Sequence, residues 1–152
     1  NNINYYNVAL GNTNKESNIY ITARKDSSSL LKPSNNYHKK YSVIDTKKIK
    51  LQKLDDLNFM KNIKRPSVLK LDVQGFELET LRGGQQMLSN IDYIIVEVSF
   101  VKVYENQVNA NDLIAFLNSN FFKIKTKCNL TTLNNKPFQE DVLFVKSDFL
   151  KT

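Results

Sequence analysis

Residues 67–88 constrain the fold of this chain more than any other stretch. Residues 67–73 (SVLKLDV) form an almost continuous apolar run, the pattern of a strand covered on both faces in a largely parallel sheet. Gln74 and Gly75 break the run, and residues 76–88 then place Leu78, Leu81 and Leu88 at helical spacing. Strand, tight turn and helix in succession predict an α/β unit. Gly83 and Gly84 should weaken or bend the helix, because each glycine in a helix interior costs ~1 kcal/mol relative to alanine. Residues 91–100 (IDYIIVEVSF) read as a second buried strand of the same kind. Residues 68–72 and 93–98 are therefore expected to be adjacent parallel central strands, with 76–88 mainly helical and packed on them.

The flanking sequence supplies further elements. Residues 3–10 (INYYNVAL) are β-prone and end at the turn signal Gly11-Asn12, and residues 18–22 (NIYIT) alternate at period two. Residues 26–40, rich in Ser, Asn and Lys around Pro33, predict a surface loop. Residues 43–54 alternate, and Asp55 and Asp56 suit the N-terminus of a short helical stretch. Asn111 is a candidate cap for a helix through Leu117, with Asn120 as a left-handed stop. Residues 121–127 and 141–146 read as a final antiparallel pair separated by the polar stretch 129–139. No internal repeat or linker divides residues 1–152, so one domain is expected.

Composition narrows the class of function. The net charge of +7 raises the question of a polyanion, but the only arginines are Arg24, Arg65 and Arg82, and they are scattered. The lysines stand among many asparagines, so a solvated surface is expected rather than a nucleic-acid partner. No run of ~18 apolar residues predicts a membrane span, and residues 1–7 lack the layout of a secretory signal. The single cysteine, Cys128, has no intrachain partner and suits a reducing compartment, so a cytoplasmic location is expected. The chain begins at Asn1 rather than Met, which implies a processed or truncated chain.

In an open α/β sheet, ligands bind outside the carboxyl ends of the strands. That rule places Asp72, Gln74, Gly75 and Glu77 at the functional edge, with Glu97 near the end of the next strand. Capping alone does not call for three acids at one sheet edge. Gly75 would let the backbone pass close to a ligand. His38 has no cysteine or acid set around it and reads as a solvated side chain, so no metal site is expected. Cys128 reads as a strand-end filler, and Tyr5, Tyr6 and Tyr104 as aromatic packing or stacking residues.

The run Lys70-Leu71-Asp72-Val73-Gln74-Gly75-Phe76-Glu77-Leu78-Glu79-Thr80-Leu81-Arg82-Gly83 resembles the Lys-x-Asp-x-Glu-Gly-x-Glu-x-x-x-Leu-x-Gly fragment of the FkbM-type methyltransferases. Further landmarks follow the family's order: Asn7 to Asn12, Leu54-Asp55-Asp56-Leu57, Ile94-Ile95-Val96-Glu97, and Asp141 to Val145. The resemblance implies a Rossmann-like class I methyltransferase fold with strand order 3-2-1-4-5-7-6. It also implies that this chain is the C-terminal part of one methyltransferase domain, incomplete at its N-terminus. The first two strands are missing, and the first strand present resembles the family's third. Gln74 stands where many members carry Glu, and no Gly-x-Gly occurs in the chain.

What the resemblance implies about function is transfer of a methyl group from S-adenosylmethionine to a hydroxyl of a sugar or natural-product-like acceptor. Asp72 would be the proton acceptor or orient the substrate, supported by Glu77 and Glu97. Gln74 and Gly75 would meet the acceptor, Ala9, Leu10 and Gly11 would meet the cofactor, and Asn7 would be structural. The alternative from another class is a noncatalytic glycan- or partner-binding module derived from such an enzyme. Oligomeric state is open.

Overall fold

The computed structural model describes residues 3–58 and 63–150. Its strands are β1 (Ala9–Leu10), β2 (Lys15–Thr22), β3 (Val43–Gln52), β4 (Val68–Leu71), β5 (Tyr93–Ser99), β6 (Phe122–Leu133) and β7 (Lys136–Lys146). The α-helices are α1 (Glu77–Arg82) and α2 (Ala110–Ser119). The strands form a three-stranded sheet in the order β1-β3-β2 and a four-stranded sheet in the order β4-β5-β7-β6. β4 runs parallel to β5, with Leu71 opposite Val96, whereas β7 is antiparallel to both β5 and β6. The result is a mixed α/β protein with two sheets and few helices.

The parallel pair is present, but β4 is an edge strand rather than a central one. Val68 is 61% exposed, so the apolar run does not mean burial on both faces. β5 alternates instead: Ile94, Val96 and Val98 face the core, while Tyr93, Ile95, Glu97 and Ser99 are half-buried. Opposite faces of one strand thereby serve packing and the site. On the core face these residues meet Leu78, Leu81, Leu88, Leu113 and Leu117. Each such side chain contributes ~1.5–3 kcal/mol when fully withdrawn from water.

Several boundaries differ from expectation for local reasons. Of residues 3–10 only Ala9–Leu10 is strand, because β3 offers pairing at those two positions and residues 3–7 lie exposed. The helix over residues 76–88 stops at Arg82, and a 3-10 turn, Met87–Asn90, follows the glycine pair. The Gly83 carbonyl accepts from Asp55 N at 3.0 Å. Asp55 in turn accepts from the N–H groups of Gln86 and Met87 at 3.1 and 2.9 Å, so it caps the Met87–Asn90 turn rather than its own. Asn109, not Asn111, caps α2 by accepting from Asp112 N at 3.0 Å. The left-handed residue after α2 is Phe121 (φ 66°), while Asn120 satisfies the helix end with its Nδ2 on the Phe116 carbonyl at 2.8 Å.

The polar stretch 129–139 is not a loop. β6 and β7 continue through it as a ribbon and turn at Asn134 and Asn135, whose φ values of 51° and 59° suit a tight hairpin. Cys128 consequently lies exposed in mid-strand rather than at a strand end. Among the described residues no helix is long and apolar enough to cross a membrane.

At the amino end of β5, the fully buried Asp92 accepts from Ser67 N at 2.8 Å and from Arg65 Nε at 2.6 Å. Burial pushes this carboxyl up, but the Arg65 guanidinium and the Ser67 N–H outweigh it and hold it below its ordinary value. A depressed carboxylate stabilises the fold above its unfolded pKa, and that contribution disappears as pH falls through the folded one. Acidification through the carboxylate range is expected to lower Tm more steeply in the wild type than in Asp92→Asn. Parallel slopes in a pH series of melting curves would remove Asp92 from the acid response.

Candidate functional site

Asp72 follows the last residue of β4, and Glu97 stands near the carboxyl end of β5, so the parallel register brings the two acids to one sheet edge. Between them and the β6–β7 ribbon opens a polar cleft of about 370 Å³. That volume lies within the ~300–1,000 Å³ usual for small-molecule sites. Asp72, Gln74 and Glu97 line it together with Gln139. A larger groove of about 450 Å³ lies on the β2–β3 hairpin, but its lining, from Asn14 to Leu51, holds a single carboxylate, Glu16, and lies away from the parallel strand ends.

The acids differ in environment. Glu97 accepts from Gln139 Nε2 at 2.6 Å, and burial, followed by the charges of Asp72, Glu77 and Asp141, pushes its carboxyl up to about 7. Asp72 is about half exposed, accepts from Gln74 Nε2 at 2.7 Å and lies 3.6 Å from the Lys70 ammonium. Glu77 is buried in the first turn of α1 and does not line the cleft. Its Oε1 accepts the N–H groups of Val73 at 3.3 Å and Gly75 at 3.0 Å, which braces the loop that carries Gln74. Burial raises its carboxyl above the ordinary value against the lowering effect of those N–H groups.

Gln74 and Gly75 both have positive φ, 53° and 93°. Gly75 is buried against Tyr104 and Gln107, where a Cβ would lie 3.0 Å from the Tyr104 ring, so it forms the turn without lining the cleft. Gln74 is held from three sides. Its carbonyl accepts from Ser29 Oγ at 2.7 Å, its Nε2 reaches Asp72, and its Oε1 lies 2.9 Å from the Tyr104 hydroxyl. That hydroxyl is also 2.9 Å from the Ser27 carbonyl, and burial first, with Tyr41 and Glu97 behind it, raises its pKa.

Sequence reading missed the other walls of the cleft. Asp26, Ser27 and Lys40 come from the segment read as a surface loop, and Arg24 and Tyr41 from the residues just outside its two ends. Two isolated bridges, Tyr20 with Ser29 and Pro33 with Tyr104, pin that segment to the body. Thr131, Thr132, Leu133, Phe138 and Gln139 come from the distal ribbon. The Asn134-Asn135 pair, residues that tolerate a left-handed turn, was a signal for the ribbon, and the polar composition masked it. His38 is exposed, with a ring nitrogen on the Asn35 carbonyl.

Ala9 and Leu10 line a second, mainly apolar slot of about 240 Å³ with Val8, Ile19, Ser28, Ser29, Leu30 and Val73. Gly11 lies outside it, buried where an added Cβ would stand 2.9 Å from Leu51 and 3.0 Å from Phe76. The slot suits one face of an adenine ring, but its lining offers no carboxylate for a ribose, and its volume falls below that of ordinary ligand sites. The described residues therefore do not fit the whole of S-adenosylmethionine.

Carboxylates gathered at the carboxyl ends of adjacent parallel strands, over a polar cleft, stand at the edge where open α/β sheets bind their ligands. Residues 1–124 match the family model of the methyltransferase FkbM domain, and the chain belongs to that family. No curated protein and no solved structure matches the chain significantly.

Proposed function

We propose that this chain forms the acceptor side of an S-adenosylmethionine-dependent O-methyltransferase with a Rossmann-like sheet, acting on a hydroxyl of a sugar or natural-product-like alcohol. The observation that carries the reading is the meeting of Asp72 and Glu97 in one polar cleft within a chain of the FkbM family. The four-stranded sheet supports it, because its last strand in sequence, β7, lies between the two strands that precede it, as the last strand does in the 4-5-7-6 end of the class I methyltransferase sheet. The cofactor supplies the methyl group. Residues 1–152 contain no Gly-x-Gly turn for the donor.

The chain's own residues hold the acceptor and take its proton. Glu97 is the proton acceptor: its carboxyl is pushed up to about 7, near the operating pH at which a general base works best. Gln139 Nε2 holds one Glu97 oxygen, leaving the other for the substrate hydroxyl. Asp72 orients the acceptor and, as a neighbouring negative charge, helps keep Glu97 basic. Gln74 fixes Asp72, and Glu77 fixes the loop beneath both. The enzyme works in the cytoplasm.

Transfer of labelled methyl to a panel of sugars and natural-product alcohols, by the longest natural polypeptide containing these residues, tests the activity. Acceptor binding with no transfer to any member would leave a noncatalytic binding module in its place. For the 152-residue chain by itself, calorimetric titration with S-adenosylmethionine is expected to give an affinity weaker than micromolar. Micromolar or tighter binding would show that the apolar slot beside Ala9 and Leu10 is a larger part of the donor site than its lining indicates.

A further inference from the structure

The cleft is electrically divided. Asp72 and Glu97 stand on one wall, whereas Arg24 and Lys40 line it from the segment that precedes β3. The Lys40 ammonium sits over the rings of Tyr41 and Phe138, 5.3 and 5.0 Å from their centroids. Tyr41 and Phe138 are buried beneath it, so this wall is rigid and aromatic. Lys40 forms no ion pair among the described residues. The acid on that wall, Asp26, is already engaged, with Arg24 NH2 at 3.1 Å and Ser27 Oγ at 3.1 Å. A guanidinium has five donors, and Asp26 occupies only part of that set.

An occupant of the cleft must satisfy both walls. A cationic acceptor would be drawn to the acids but repelled by Lys40 and Arg24. A neutral polyol pressed against this wall would displace water from Lys40 without giving it a counter-charge, and a charge that loses water without gaining a partner weakens binding. An anionic substituent removes that cost, and a charge-assisted hydrogen bond is about twice as strong as a neutral one. We propose that the acceptor is a sugar-sized polyol carrying an anionic group, a carboxylate or a phosphate, seated against Lys40 and Arg24 while a hydroxyl faces Glu97. This rests on the reading of the cleft as the acceptor site. Thr131, Thr132 and Gln139 supply neutral hydrogen bonds for the remaining hydroxyls, and the buried Tyr41 and Phe138 rings support Lys40 from beneath.

The test is an NMR titration of the protein, without methyl donor, using glucuronate, glucose 6-phosphate and glucose as probes. At least one anion is expected to bind about tenfold tighter than glucose and to shift the Tyr41 and Phe138 resonances. The tighter of the two identifies the anionic group as carboxylate or phosphate. Lys40→Gln should weaken the anion by about three- to tenfold, as for a partly exposed charged contact, and leave glucose unchanged, while Lys40→Arg retains the preference. Lys48→Gln, on the outer hairpin, controls for net charge and should change nothing. Glucose binding as tightly as both anions, no binding of either anion, or equal effects of Lys40→Gln and Lys48→Gln would overturn the proposal. Anion preference without methyl transfer in the activity assay would count against the enzyme reading alone; transfer to neutral sugars without anion preference would count against this proposal alone.

Discussion

Glu97→Gln is expected to lower methyl transfer by about 10²–10⁴-fold, the usual cost of losing a general base, with little change in melting temperature. Gln keeps the shape of the side chain and an acceptor for Gln139 Nε2, but it cannot take a proton. The wild-type rate should climb as pH rises through about 7, where the Glu97 carboxyl loses its proton, and the variant should lack that limb. Asp72→Asn separates the two acids. It too should lower turnover far more than cofactor affinity or stability, but it should also move the limb to lower pH, because the Asp72 charge is one of the causes that raise the Glu97 carboxyl. Turnover, cofactor affinity, melting temperature and the pH profile, measured on both variants, decide the assignment. Near-wild-type turnover in Glu97→Gln would move the proton to Asp72. A large fall in melting temperature with turnover preserved in both would make the pair structural.

Gly83→Ala should destabilise the fold by about 3 kcal/mol or more, the upper end of overpacking penalties. The Gly83 backbone is ordinary, with φ −76° and ψ −6°, so the cost is not conformational. It is steric: an added Cβ would stand 1.9 Å from the Gly11 carbonyl oxygen and 2.8 Å from its carbon, and backbone has little room to yield. For a chain of this size each kcal/mol lowers Tm by roughly 2–4 °C, so a fall of roughly 6–12 °C is expected. Gly84→Ala is the internal comparison. There the Cβ would meet the Met87 Cε at 3.0 Å and Leu54 side-chain atoms at 3.1 and 3.2 Å, groups that can shift. Its loss should be about 1 kcal/mol. Equal melting temperatures for the two variants would show that β1 and α1 do not meet through these glycines.

The parallel β4–β5 pair, the turn at Gln74-Gly75 and the helix after it were legible from the order of apolar residues, because period and punctuation are local properties of a chain. So was the placement of Asp72 and Glu97 at one sheet edge. The FkbM fragment at residues 70–83 was legible as well, and the family match covers it. Helix length was not, since α1 stops where Gly83 meets Gly11, a contact across 72 positions of sequence. The polar composition of residues 129–139 spoke for a loop, yet ladder hydrogen bonds between β6 and β7 need no apolar side chains, and the stretch became a ribbon. The roles of the three acids also diverged for reasons no local pattern contains. Glu77 and Glu97 are both partly or wholly withdrawn from water, but Glu77 is spent on two backbone N–H groups, whereas Glu97 faces a cleft walled by Lys40 and Arg24 from one distant segment and Thr131 and Gln139 from another. Sequence by itself determined which elements form and at which sheet edge the acids stand. Tertiary structure decided which acids face the cleft and what charge opposes them, because burial and Coulomb energy depend on distances between segments that lie far apart along the chain.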